Sequence, residues 1–267
     1  MNSDQREVIK TSARYLFQSN ANDLSQPSAP IIRVKWAESF DEIAAAQRLR
    51  LRVFNLEYGA GLIGVDGRDV DMFDHFSKHL IAIDQNTGEV VGTYRVLLPE
   101  NARQAGQLYM DTEFDLTRLA FTRYDIIELG RSCVDFAYRD GSVIRRLWTA
   151  LADYLSNRCE RYLIGCVSVP TKDGGQYANS LYQGLRSRLA ENPMLRVVPI
   201  ASMPAVELND AGSAVSPALM RSYLKLGAKL MGAPFYDKQF QCADFPMMIE
   251  ASKLEEKFAR TQRRFAA

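Results

Sequence analysis

With 267 residues, 47% hydrophobic and 24% charged, and a formal net charge of +1 from 33 Lys and Arg against 32 Asp and Glu, the chain reads as an ordinary globular protein with one large domain. That balance excludes the basic excess of a nucleic-acid binder, and no apolar run approaches the roughly 20 residues needed to cross a bilayer. Four cysteines without a C-x-x-C pair read as free thiols of a reducing compartment, and residues 1–10 are too polar to open a secretory signal, so the expected location is cytoplasmic.

In chain order, Val8, Ile9, Ala13, Leu16 and Phe17 predict a short amphipathic helix, followed by a polar linker up to Pro30. Residues 1–30 therefore form an extension, 31–250 the folded domain and 251–267 a basic tail. The run 31–36 predicts a first strand. Ser39 with Glu42 predicts a capping box, opening a helix that buries Ile43, Ala46, Val53 and Leu56. Residues 79–84 and 89–98 flank Asn86-Thr-Gly88 and predict a β-hairpin. A strand at 126–130, a helix carrying Ile144, Leu147, Trp148, Leu151 and Leu155, and a buried strand at 162–169 come next. One helix then holds Leu181, Tyr182, Leu185 and Leu189, another starts at Ser216-Pro217 and runs to Gly232-Ala-Pro234, and a last strand falls within 244–250. This order predicts an α/β fold with one mixed central sheet flanked by helices and a C-terminal helical extension.

Several stretches narrow the reading. Asp69-Val-Asp-Met-Phe-Asp-His75, His79-Leu-Ile-Ala-Ile83 and Val91-Gly-Thr-Tyr-Arg95 resemble acyl-homoserine lactone synthases, within the Gcn5-related N-acetyltransferase superfamily. Tyr109-Met-Asp-Thr-Glu-Phe-Asp115, Glu128-Leu-Gly-Arg-Ser-Cys-Val134, Tyr223-Leu-Lys-Leu-Gly-Ala228, Asp237-x-x-Phe240 and Asp244-Phe245 resemble the ornithine N-acyltransferases of ornithine-lipid synthesis more closely. The resemblance implies transfer of a (3-hydroxy)fatty acyl group from acyl carrier protein to the α-amine of ornithine, giving lyso-ornithine lipid. No cofactor is implied beyond the acyl-phosphopantetheine of the carrier protein. Acetyl-CoA enzymes of the superfamily carry an Arg/Gln-x-x-Gly-x-Gly/Ala pyrophosphate loop, of which only Arg139-Asp-Gly141 remains here. That favours a carrier-protein donor over CoA.

Attack of an amine on a thioester needs the neutral amine, hence a base. Glu128 is the first candidate, with a salt bridge to Arg131 as the alternative reading of the same residue. Asp71 and Asp74, three apart, could face a cationic substrate together, and the lactone synthases point to Asp74. Arg52, Arg95 and Arg131 match basic positions of the family and suit a substrate carboxylate or the phosphopantetheine phosphate. Cys133 lacks a cationic partner and is expected to be inert, and His75 with His79 lacks a third metal ligand.

Other readings stay open: acylation of glycine, lysine or glutamine, acetyl transfer from CoA, synthesis of an acyl-homoserine lactone signal, or a membrane-associated acyl-binding protein without turnover. A lipid product suggests peripheral contact with the inner membrane face through residues 8–17 and the tail residues Lys253, Lys257, Arg260, Arg263 and Arg264.

Overall fold

The computed structural model describes residues 29–58, 64–207, 212, 214–254 and 256. The expected amphipathic helix at 8–17 and all of the basic tail beyond residue 256 lie outside them. Strand β1 (Ile32–Trp36) leads into helix α1 (Phe40–Tyr58). The Ser39 hydroxyl accepts the Glu42 N–H at 3.2 Å, while the Glu42 carboxylate accepts the N–H of Glu38 at 2.8 Å, so the capping box closes one residue earlier than expected. Strands β2 (Lys78–Asp84) and β3 (Val90–Leu97) form the hairpin. Its turn closes through the Gly88 N–H on the Asp84 carbonyl at 2.7 Å.

After a short helix α2 (Pro99–Ala105) come β4 (Phe114–Asp115), β5 (Ile126–Val134), α3 (Ser142–Leu155), β6 (Tyr162–Pro170) and α4 (Gln176–Leu185). The chain finishes with β7 (Val198–Pro199), α5 (Ala218–Lys225), β8 (Lys229–Leu230), β9 (Phe235–Asp237) and β10 (Cys242–Glu250). The main sheet runs β1-β2-β3-β5-β6-β10-β8, with β9 also on β10. Every pairing is antiparallel except β5 with β6. This is the mixed central sheet that the element order predicts.

Alternation along the strands divides the core. Leu80, Tyr94 and Val96 pack with Leu147, Trp148 and Leu151 of α3, whereas Leu97 packs with Phe73, Met110 and Ile126. Each such aliphatic side chain taken from water contributes about 1.5–3 kcal/mol. The ring of Trp148 meets Tyr94 and Tyr223 edge-on, at 5.7 and 5.1 Å between centroids.

Three sequence expectations change. Leu56 is exposed, because the inward stripe of α1 passes from Val53 to Phe54 and Glu57 at the wall of a cavity. The buried face of the same helix includes Gln47 and Arg50. Helix α5 stops at Lys225, where Gly227 takes the left-handed φ of +85° that favours glycine, well before Gly232. The small second sheet of β4 and β7 has too few residues to leave a periodic signal.

Candidate active site

The parallel ladder between β5 and β6 is three pairs long, Ile126 with Tyr162, Ile127 with Leu163 and Glu128 with Ile164. Both strands continue for six residues beyond it without pairing to each other, so the sheet opens as a wedge between Glu128 and Val167. Gly165 sits at the apex, where a Cβ would run into the Leu129 carbonyl oxygen. The wedge holds a cavity of about 580 Å³. Leu129, Val134, Ile144, Val167, Leu219 and Tyr223 give it an apolar wall, while Glu113, Asp237 and Asp244 gather at another part of the lining. Such a space admits an apolar chain and one polar group together.

A bulge re-aims the strand at this point. Thr93 pairs with Cys133 and Arg95 with Gly130, so Tyr94 on β3 stands against both Arg131 and Ser132 on β5. Arg131 takes a left-handed φ of +48° there. Its side chain meets Asp69 and Asp71, and its Nε lies 3.2 Å from Asp69 Oδ2 outside hydrogen-bond alignment. Arg95 donates to Asp71 at 2.5 Å and to Asp74 at 3.3 Å. Arg50 forms two parallel bonds to Asp74, at 2.8 and 2.7 Å, and a third to Asp69 at 2.7 Å. The ring of Tyr109 lies under both Arg131 and Arg95, 4.9 and 5.5 Å from the guanidinium carbons.

Three arginines thus meet three aspartates, and the cluster is closed electrostatically. Burial opposes the Asp74 carboxylate, but the hydrogen bonds and charge of Arg50 prevail and hold its pKa well below the usual range. A carboxylate so held is a poor base. Neither Asp71 nor Asp74 lines the cavity, which corrects their reading as substrate contacts: they fix Arg95 and Arg131, which do line it. Asp71 also caps the turn Met72–Phe76 through the Phe73 N–H at 2.9 Å.

Glu128 is buried in the cavity wall, and each of its oxygens accepts a backbone N–H, from Tyr109 at 2.6 Å and from Met110 at 2.7 Å. No salt bridge to Arg131 forms between these groups; Arg131 turns to the aspartates instead. Burial raises the Glu128 pKa to about 7 against the pull of those two amides. Its geometry is that of a clamp on the turn Tyr109–Thr112, which delivers Glu113 to the cavity.

Glu113 and Asp244 are the titratable pair that motif reasoning left without a role. Both are buried, and desolvation raises both pKa values, reinforced for Glu113 by the Asp244 charge and for Asp244 by that of Asp237. Ser168 donates to Asp244 at 2.5 Å and the Cys166 thiol to Glu113 at 3.5 Å. The donor atoms of Asp237, Cys242 and Asp244 lie within 4.8 Å of one another. Burial and the adjacent carboxylates raise the Cys242 thiol, so in this structure the set offers two carboxylates beside a protonated sulfur, a partner for an ammonium group. A lone Asp in the apolar strand 242–249 was the sequence signal for this end. Arg50, amid the buried stripe of α1, was the signal for the other.

At the opposite rim, Gly141 caps α3 with φ +89° and lines the cavity beside Arg139. Arg139 is occupied by Glu57 at 2.6 Å and the Val134 carbonyl at 3.0 Å. Arg52 lies outside the lining, half-exposed and paired with Asp135 at 2.6 Å, because it sits on the outward face of α1. Cys133 is buried, with its thiol raised to about 12 by desolvation. The two histidines are apart in role: His75 stacks on Phe76 at 5.2 Å, and His79 is buried on β2 with Nε2 3.2 Å from the Asp74 carbonyl.

Residues 49–149 match a family model described as an acetyltransferase (GNAT) domain. The chain is 33% identical over 244 residues to the L-ornithine N(alpha)-acyltransferase of Rhodobacter capsulatus, covering 86% of this chain and 94% of that protein. It is 29% identical over 260 residues to the protein of the same name from Brucella abortus, covering 91% and 92%. Among solved structures, a CoA-dependent acyl-homoserine lactone synthase with SAM and isopentyl-CoA matches with a TM-score of 0.50 at 14% identity, covering 86% of this chain and 90% of that one. At that identity the likeness is one of fold.

Proposed function

Since the chain belongs to the L-ornithine N(alpha)-acyltransferase family, we propose that it joins a (3-hydroxy)fatty acyl group, carried as a thioester on acyl carrier protein, to the α-amine of ornithine, releasing lyso-ornithine lipid. The observation that carries this reading is a cavity in which an apolar wall and a buried acidic group are brought together by the parting of β5 and β6. An acyl chain matches the apolar wall, each buried methylene contributing about 0.8 kcal/mol. The pantetheine arm enters along the open edge of β5, past Gly141 and Arg139.

Ornithine carries two ammonium groups and one carboxylate. Its side-chain ammonium pairs with Asp237 and Asp244, and its carboxylate with the guanidinium edge of Arg95 or Arg131. Glu113, its pKa raised by burial and the Asp244 charge toward that of an amine, takes a proton from the α-ammonium in its ionised form. The freed amine attacks the thioester carbon, forming the C–N bond. The oxyanion accepts from backbone N–H groups of β5 near Gly130, where that strand has parted from β6, the C–S bond breaks, and the thiolate is released with the proton shed by the new amide nitrogen. Glu128 holds the turn that positions Glu113, and Cys133, raised and buried, takes no covalent part.

Mass spectrometry of the product decides between donors and acceptors. The purified chain with acyl carrier protein loaded with a 3-hydroxyacyl group should convert ornithine to the N-acyl product, and the acyl-CoA of the same chain should serve far less well. Equal use of glycine, lysine or glutamine would remove ornithine from the proposal, and preference for CoA would remove the carrier protein. No described helix is long and apolar enough to cross a membrane, so an amphiphilic product would leave by way of the protein's surface.

A further inference from the structure

One edge of the protein exposes large apolar side chains from three short segments. Phe121 is 89% exposed, Tyr124 65%, Ile200 64% and Val198 51%. The segments are neighbours: β4 pairs with β7, placing Asp115 opposite Val198, the Ile200 N–H donates to the Glu113 carbonyl at 2.8 Å, and the turn Thr117–Leu119 ahead of Phe121 packs against the turn Pro193–Leu195 ahead of Val198. Val198 opens β7 and Ile200 follows it in a bend. Phe121 stands in the tight loop between the turns Thr117–Leu119 and Arg123–Asp125, held by the Thr122 N–H on the Leu119 carbonyl at 2.9 Å. Arginines frame this group. Arg103 lies over the Tyr124 ring at 5.4 Å, and Arg118 is exposed on the loop that carries Phe121.

We propose that this edge, led by Phe121 and Ile200, docks the protein on an anionic membrane surface. Aromatic and aliphatic side chains protruding singly from separate turns suit insertion among headgroups, and exposed guanidinium groups beside them suit lipid phosphates. A protein partner would call for a closed, continuous face. The position adds a reason: β4 continues directly from Glu113 in the cavity wall, so docking here brings the cavity's acidic end toward the bilayer. This step rests on the reading that the product is an amphiphile that must reach a membrane.

Co-sedimentation with phosphatidylcholine vesicles, with and without phosphatidylglycerol, tests the edge in the full chain. Wild type should bind the phosphatidylglycerol vesicles, and Phe121→Ser with Ile200→Ser should lower that partition coefficient about tenfold or more. Arg118→Ser should lower it about fivefold and flatten its salt dependence. Acylation of ornithine measured without vesicles should stay unchanged in all these variants. Wild-type binding that the substitutions leave intact would overturn the proposal and move the contact to the chain ends. Absence of wild-type binding would overturn it too, as would a wild-type dimer that Phe121→Ser dissolves, the edge then serving a second copy. Loss of ornithine acylation in wild type would instead strike the reading of the reaction, and the vesicle result would stand separately.

Discussion

Arg50 and Asp74 form a bidentate ion pair inside the protein, Nη1 to Oδ1 at 2.8 Å and Nη2 to Oδ2 at 2.7 Å, with the arginine side chain wholly buried. Removing one charge of such a pair strands the other. Asp74→Asn should therefore cost about 3–5 kcal/mol of stability, read as a lower urea midpoint. Because the folded pKa of Asp74 is depressed below the ordinary 3.8, its contribution is fully present above that value and is lost as pH falls below it. In the variant that remains folded at low temperature, kcat should fall by less than about tenfold, since Asp74 faces arginines and not the cavity. A hundredfold loss with intact folding would restore it as the base.

Glu128→Gln separates clamp from base. Both oxygens of Glu128 accept backbone N–H groups, so an amide in its place sets an NH₂ against one of them. The variant should lose about 1–3 kcal/mol of stability and drop in melting temperature, with activity falling alongside. Full activity loss at unchanged melting temperature would favour a direct chemical role.

Glu113→Gln should retain the fold and lower kcat about a hundredfold or more. Asp244→Asn should act mainly on the KM for ornithine, because it removes a partner of the side-chain ammonium.

The same two carboxylates set the pH response of stability. Burial and the neighbouring acidic groups raise the folded pKa values above the ordinary 4.5 of Glu113 and 3.8 of Asp244. Below those ordinary values both states are protonated and stability is undiminished; as pH rises from the ordinary toward the folded values, the unfolded chain ionises first and stability falls by up to about 1.4 kcal/mol per pH unit and group, levelling off once the buried groups ionise too. Asp244→Asn should thus melt about 2–4 °C or more above wild type at pH 8, and the gap should close by pH 4. A gap independent of pH would show that Asp244 is not strained by charge.

Gly165→Val should be severely destabilising, because its Cβ collides with a backbone carbonyl and not with a mobile side chain. Gly130→Ala, with open space at its Cβ, serves as the control and should melt close to wild type.

How far the sequence could be read follows from what leaves a local pattern. The hairpin around Gly88 and the stripe of Leu147, Trp148, Leu151 and Leu155 are periodic over many residues, and both stand where expected. The choice of base was not legible in the same way. Glu128 is a lone acid on a strand and Glu113 the middle one of the alternating acids Asp111, Glu113 and Asp115, and the turn at Tyr109 and Met110 that occupies the one and frees the other is a long-range arrangement. Arg50, two residues from the arginine that family matching selected, faces inward while Arg52 faces out. A helix turns about 100° per residue, so a shift of two positions reverses the face.

Beyond Glu128, strands β5 and β6 are two limbs joined at a stem of three residue pairs, and the limbs lack a common ladder. Past the stem β5 is paired on one side only, with β3, so its backbone groups that face the gap have no strand partner. Free protein should then exchange the gap-facing amide hydrogens among residues 129–133 faster than those of the stem at 126–128. An acyl donor whose amides fill the gap would slow that exchange, acting as a temporary extra strand. Thioester-bearing and discharged carriers differ by the acyl chain alone, so the residual protection left after transfer would measure how firmly the spent arm is gripped and therefore how fast the protein can be reloaded.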